Sequence, residues 1–303
     1  MTATVIRGVT LVELLVSMAI GLVLMVAVSN AYVGSSAAGR TADALARMTE
    51  DAQHALSAIS REARLASANP LQPNRAPGSK RNPVTNVFPV RGCDVTFNNV
   101  QTAASAAALD CGHNASSTGP HAVTFGYEAD QFNTIATTGH VPTDCAGGSL
   151  LPTDVVVLPD AGPAVTMQMF EAENRFYVAP SVRNPRPSLY CRGTNSSPMP
   201  LVENVEDLQL AYGVAKPADP KAIAGFLDAW ELENEGVALA GKTAAERWAL
   251  VRAIRICIVM RSEQPLAPDL DSARYVNCAG ELATPADLRL RRAFQTTVFI
   301  RNR

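Results

Sequence analysis

Charge is missing where a solvated helix would need it. Between Leu14 and Ala38 the 303-residue chain has no Asp, Glu, Lys or Arg, and no proline precedes Pro70. The first absence excludes an ordinary surface helix, and the second excludes a proline kink within it. The six cysteines contain no C-x-x-C pair, which argues against zinc-ribbon and thioredoxin-like sites. Basic residues are not in excess, 26 Lys and Arg standing against 28 Asp and Glu, so no nucleic-acid-binding surface is expected. There is no G-x-S-x-G elbow, no H-E-x-x-H, no Walker A sequence and no G-x-G-x-x-G after a strand. His54, His113, His121 and His140 share no metal-like spacing, and the last three read as solvated loop residues. Asp228, Glu231, Glu233 and Glu235 lack the alternating carboxylate and glycine pattern of a calcium loop and read as a solvated surface. No catalytic residue, cofactor or metal ligand is therefore expected, and the chain is read as a non-enzyme.

What is present begins at Arg7-Gly8-Val9-Thr10-Leu11-Val12-Glu13-Leu14-Leu15. The apolar run from Leu14 to Val33 is about long enough to cross a bilayer as a helix, and Glu13 sits at its mouth. An acidic residue in a lipid-embedded helix costs roughly 2.5–3.5 kcal/mol at mid-membrane and less towards the ends. It calls for a partner, which is expected from outside the uncut chain. A cut after Gly8 would make Val9 the N-terminus, with its ammonium one helical turn from Glu13 in the same or a neighbouring subunit. An ordinary secretory signal, with Arg7 as its charged region and small residues from Ala27 to Ala31, should not hold a Glu in its apolar part. A plain signal anchor leaves Gly8 and the T-L-V-E-L-L order unexplained.

This start resembles the class III signal of type IV prepilins and type II secretion pseudopilins. The resemblance implies cleavage after Gly8 by a dedicated peptidase and methylation of Val9, and it departs from the family in having Val where the first mature residue is usually Phe.

The cysteines Cys93, Cys111, Cys145, Cys191, Cys257 and Cys278 all lie downstream of the apolar run. An even count beyond an export signal fits disulfides in an oxidising compartment. Of the fifteen pairings six cysteines allow, the sequential one closes moderate loops around turn-rich sequence: Cys93 with Cys111, Cys145 with Cys191, Cys257 with Cys278.

Leu45, Met48, Ala52, Leu56, Ile59, Ala63 and Ala66 recur at three-and-four spacing, opposite a face bearing Asp43, Arg47, Glu50, Asp51, Gln53, Arg61, Glu62 and Arg64. One helix is predicted from about Val9 to about Ser67, near 90 Å at 1.5 Å per residue, stopped by Asn69-Pro70. Gly21, Asn30, Gly34 and Gly39 are weak helix formers in its first half, where local stretching during packing is expected. Pro70 to Pro89 reads as an extended loop. Strands are predicted at residues 121–127, 154–158, 175–178, 188–191, 208–214, 253–261 and 294–301. The clearest has Ile254, Ile256, Ile258 and Met260 alternating with Arg255, Cys257, Val259 and Arg261. Lys216 to Leu250 reads as two short helices on an excursion, with Trp230 and Trp248 as packing anchors. The run Arg289-Leu290-Arg291-Arg292 reads as a solvated strand edge that discourages aggregation. The fold class is α+β, a pilin-like lollipop whose long N-terminal helix packs its distal half on an antiparallel sheet.

Tyr190-Cys191-Arg192-Gly193, then the segment from Leu201 to Gln209 with Tyr212-Gly213, then Val251 to Ile256 leading to Arg261-Ser262, and finally Arg289 to Arg292 with Phe294 and Thr297-Val298, are similar in order and spacing to the PilW family of minor pilins. Membership implies a low-abundance subunit that primes type IV pilus assembly with other minor pilins and the major pilin. Its further partners would be the prepilin peptidase and the inner-membrane assembly platform. The implied layout is a leader at residues 1–8, a helix at 9–68 spanning the inner membrane at about 12–33, and a disulfide-bonded domain at 69–303. The N-terminus would be cytoplasmic and the domain periplasmic, then part of the fibre or its tip. Glu13 is expected to align the incoming subunit. A J-like minor pseudopilin of a type II secretion system shares the same signal and stem, and a membrane-anchored periplasmic enzyme or adhesin is a third reading.

Overall fold

The computed structural model describes residues 10–68, 88–112, 118–157, 163, 165–181, 186–216, 219–234 and 239–302. Gly8, Val9, the Asn69-Pro70 stop, nearly all of the proline-rich loop, His113 and Glu235 lie outside them. Helix α1 runs Leu11–Leu65, and the chain divides into two compact units, Met1–Arg47 and Met48–Arg303. The first unit, over its described residues, is the apolar part of α1.

In the second unit α1 buries Met48, Ala52, Ala55, Ile59 and Ala63. Small residues in this stripe allow close approach of helix to sheet. Two residues past the end of α1, within the second unit, Ser67 has a φ of +66°. Its amide donates to Gly126 O at 3.0 Å, so the chain passes from helix to sheet without leaving that amide unpaired. Glu62 departs from the sequence expectation: it is buried, at 1% exposure, and not on the solvated face. The steps 48, 52, 55, 59, 62 and 66 alternate four and three, so Glu62 occupies a core position of the stripe.

Two antiparallel sheets make up the rest of this unit. The first contains β1 (Val90–Cys93), β2 (Ala122–Ala129), β3 (Pro152–Val157), β4 (Val165–Pro180), β5 (Pro187–Arg192) and β6 (Met199–Glu203). Their order is β1-β2-β4-β5-β6, with β3 also paired to β4. The second contains β7 (Val205–Lys216), β8 (Asp219–Leu227), β9 (Val251–Pro265) and β12 (Arg289–Phe299), in the order β12-β9-β7-β8. A two-stranded hairpin, β10 (Tyr275–Val276) and β11 (Leu282–Ala283), lies between β9 and β12 in the chain.

Strand β9 carries the predicted alternation, with Ile254, Ile256, Ile258 and Met260 all fully buried. Cys257 and Val259 on its other face are buried too, at 6% and 2% exposure. The Cys257–Cys278 disulfide ties the hairpin segment to that face. Strand β4 is 16 residues long, against the four expected. Its interior holds Glu171, Glu173, Asn174 and Arg175, and such a polar run hides a strand from any period-two reading.

The excursion from Lys216 to Leu250 is half strand. Asp219–Leu227 pairs with β7 as β8, which corrects the helical reading of Phe226 and Leu227. Helices α2 (Ala229–Glu233) and α3 (Ala244–Trp248) follow, each opened by a capping box, from Asp228 and Glu231 and from Thr243 and Glu246. Trp248 is fully buried and meets Tyr212 edge-on at 4.8 Å between centroids. Trp230 is half-buried.

Candidate functional site

The first turn of α1 is closed by its own residues. Thr10 Oγ1 accepts the Glu13 amide at 3.3 Å, while Glu13 Oε2 accepts from the Thr10 amide and hydroxyl, each also at 3.3 Å. T-L-V-E is thus a capping box, a pattern visible in the sequence as Thr followed by Glu three residues on. Thr10 thus supplies Glu13 with two hydrogen-bond donors from within the chain. Both are neutral, so neither is the counter-charge that the sequence calls for. The unpaired amides and the dipole of the helix N-terminus favour an anion at this position.

Beyond Glu13, the helix presents Leu11, Val12, Leu14 and eleven more large apolar side chains plus Tyr32 up to Val33, each between 50% and 75% exposed. Covering a surface of this kind is worth on the order of 20 kcal/mol or more at roughly 1.5–3 kcal/mol per side chain. Nothing among the described residues covers it. Length and composition suit this helix to crossing a membrane.

At the other end of α1 a polar network joins helix and first sheet. Glu62 Oε2 accepts from Asn174 Nδ2 at 2.7 Å, and Arg61 reaches Glu62 Oε1 at 3.2 Å. Asn174 Oδ1 in turn accepts the Cys145 amide at 3.1 Å. The Tyr127 phenol is hydrogen-bonded to Glu62, and burial, reinforced by that carboxylate, pushes its pKa well up. The phenol therefore stays protonated. The cavity beside it, about 230 Å³ and lined by Arg61, Glu62, Tyr127 and Asp144 among others, falls below the roughly 300–1,000 Å³ of a typical ligand site.

Three disulfides stabilise the domain. Cys93 joins Cys111, Cys145 joins Cys191 and Cys257 joins Cys278, at Cα separations of 5.7, 6.3 and 5.8 Å. The loop closed by the first lies over a buried ion pair. Arg175, 2% exposed, bonds Glu173 Oε1 through Nε at 2.9 Å and Nη2 at 2.6 Å. Its Nη1 donates to Val100 O, and Glu173 Oε2 accepts the Ala106 amide at 2.6 Å.

Several polar residues, some of them expected in solvent, are engaged. Glu233 accepts from Arg91 and from the Trp248 indole, both at 2.8 Å. Asp94 accepts the Ala229 and Trp230 amides at the start of α2. Arg291 is 5% exposed at its side chain and paired with Glu206 and Asp287, so the arginine run is not simply a solvated edge. His140 is exposed, as expected, and His54 on α1 is exposed too. His121 is not: its Nδ1 accepts the Leu210 amide at 3.0 Å and lies 3.6 Å from Asp94.

Burial lowers the His121 pKa, against the opposing fields of Asp94, Asp207 and Asp228. The Leu210 bond also holds Nδ1 unprotonated. Below its ordinary value of about 6.5 the unfolded imidazole binds a proton that the folded one refuses. Stability is therefore expected to be full above that pH and to fall as pH drops towards the folded pKa, by at most about 1.4 kcal/mol per unit. Denaturant titrations from pH 8 to 5 should show this slope, and His121→Asn should remove it.

Among the described residues no group of three or more His, Cys, Asp or Glu is placed to hold a metal ion. A capped, uncovered apolar helix that continues into an antiparallel β domain defines a pilin-like protein, and pilins are structural subunits. Residues 5–29 match the family model of the prokaryotic N-terminal methylation motif, and residues 175–302 match that of type IV pilus-assembly protein W. Over these two stretches the chain resembles a type IV pilus minor pilin of the PilW family. The second match takes in the C-terminal end of β4 and all of β5 to β12, including Cys191, Cys257 and Cys278. No curated protein and no solved structure matches the chain significantly. The family and the motif associate the chain with a membrane anchor and with pilus components.

Proposed function

We propose that this subunit primes type IV pilus assembly together with other minor pilins, the major pilin and the inner-membrane platform. Residues 1–8 are a leader removed after Gly8 by prepilin peptidase, Val9 carries the new and methylated amine, residues 9–68 form the inserted helix, and residues 69–303 lie on the periplasmic side. The carboxylate of Glu13 then pairs with the N-terminal ammonium of a neighbouring subunit and sets its register. The observation that carries this reading is the place of Glu13, a carboxyl group at the mouth of an uncovered apolar helix whose donors among the described residues are the neutral amide and hydroxyl of Thr10. A subunit that leaves that charge unpaired in lipid is less stable than one that pairs it.

The test is the intact mass and N-terminal sequence of the protein recovered from its native membrane. A chain beginning at Val9, with or without one added methyl, is expected. A chain beginning at Met1, or cut near Ala31, would remove the basis of the mechanism. Loss of pili on deletion would support the pilus assignment, and loss of exoprotein secretion with intact pili would overturn it.

A further inference from the structure

The edges of the two sheets are not alike. Strand β8 has register shifts against β7 at Val214/Ala215 and Ala215/Lys216. Strand β6 is five residues long, contains Pro200 and is shifted against β5, and β1 has four residues. Short length, proline and bulges are how sheets protect an open edge. Strand β12 has none of these between Arg291 and Phe299, where it pairs with β9 without a break and has no strand on its other side among the described residues.

The direction of its backbone groups follows from one bond. The Ile300 amide donates to Arg252 O at 2.8 Å, and the register sets Phe299 opposite Ala253. Antiparallel alternation then points the amides of Phe294, Thr296 and Val298 at β9, and those of Ala293, Gln295, Thr297 and Phe299 outward. Arginines would be the ordinary guard of such an edge, but Arg291 is held by Glu206 and Asp287, and Arg289 bonds Ser262 O and Glu263 O. The remaining edge, A-F-Q-T-T-V-F, is uncharged and rich in strand formers. Gln295 and Thr297 are exposed, and Phe299 is 58% exposed. Beside Arg291 to Gln295, the hairpin segment held by Cys257–Cys278 forms a cleft of about 630 Å³, with Tyr275, Val276 and Ala293 in its walls.

We propose that the outer edge of β12, from Ala293 to Phe299, accepts an extended strand from a different pilus subunit. Backbone hydrogen bonds would supply affinity and the cleft would take alternate side chains. Charge selects this occupant over a second copy. The segment from Leu288 to Arg303 carries five arginines and no acidic residue, so a second copy paired along this edge brings no anion to the exposed Arg292 and Arg301. Like charges directly opposite are destabilising. The strand that fits is uncharged at its centre, with an acidic residue facing Arg292 or Arg301, both exposed.

This rests on the pilus-subunit reading, and the test separates the two. The full chain with the photoreactive residue p-benzoylphenylalanine in place of Phe299 is cross-linked in its native cell. The expected adduct maps to an extended segment of another pilus subunit, and Thr297→Pro, which removes an outward amide and no β9 bond, lowers its yield by roughly tenfold. The unfolding midpoint of the variant should be unchanged. If Thr297→Pro unfolds the protein, Gln295→Lys with Thr297→Lys replaces it and should lower the yield as much. A chain processed to Val9 that gives no adduct, an adduct only with a second copy, or a yield insensitive to the variants overturns the strand pairing and leaves the pilin reading intact. A chain that is not processed fails both.

Discussion

Glu13→Val is expected to give a protein that reaches the membrane in normal amount and is nearly absent from sheared pili. Removing the carboxylate lowers the cost of insertion, so loss of membrane protein is not the route to the defect. What is lost, on the proposed pairing, is a charge pair in apolar surroundings. If it is worth about 2 kcal/mol, its removal shifts incorporation by roughly thirtyfold at each addition. Two further variants separate pairing from helix capping. Glu13→Gln keeps an acceptor for the Thr10 donors and loses the charge, whereas Thr10→Ala keeps the charge and loses the cap. A cap of this kind contributes about 1 kcal/mol. Pairing predicts that Glu13→Gln behaves like Glu13→Val and that Thr10→Ala assembles nearly normally. The reverse order, or normal piliation by Glu13→Val at native expression, would end the pairing mechanism. Quantitative immunoblots of sheared pili against membranes decide it.

The largest effect on stability is expected from Glu173→Leu. It leaves the Arg175 guanidinium at 2% exposure without its anion and takes the acceptor from the Ala106 amide. Breaking a buried pair on one side costs about 3–5 kcal/mol, because an uncompensated charge remains in a poor solvent. In a domain of this size the unfolding midpoint should fall by on the order of 10 °C. Glu173→Leu combined with Arg175→Met should recover most of the loss, since the pair itself contributes little beyond what apolar packing would give. Thermal unfolding of both variants with the disulfides intact makes the comparison. Equal destabilisation by the single and double variants would mean that the loop contacts to Val100 and Ala106, and not the stranded charge, carry the effect.

Local patterns made some elements legible in the sequence. The uncharged run fixed α1, and four-and-three spacing identified Met48, Ala52, Ile59 and Ala63 as its buried stripe. Alternation exposed β9 because Ile254, Ile256, Ile258 and Met260 face one way. Elements whose burial is polar were harder. The interior of β4 could not be read as strand because Glu173, Asn174 and Arg175 find their partners on other elements. Asp219–Leu227 became a strand through pairing with β7, a neighbour that no local propensity announces.

At the N-terminus, then, the sequence by itself determined the chemistry: a carboxylate, a capping threonine and an apolar run need only one-dimensional spacing to be recognised. Tertiary structure alone decided that Glu62 is a core residue, that His121 is held neutral beside Asp94, that Arg291 is consumed in ion pairs, and that the uncharged half of β12 is left as an open edge. The physical reason is common to all four. A charge or a backbone amide has the same covalent form whether it is solvated, paired or waiting for a partner, and which of these holds depends on groups brought close by folding from distant parts of the chain.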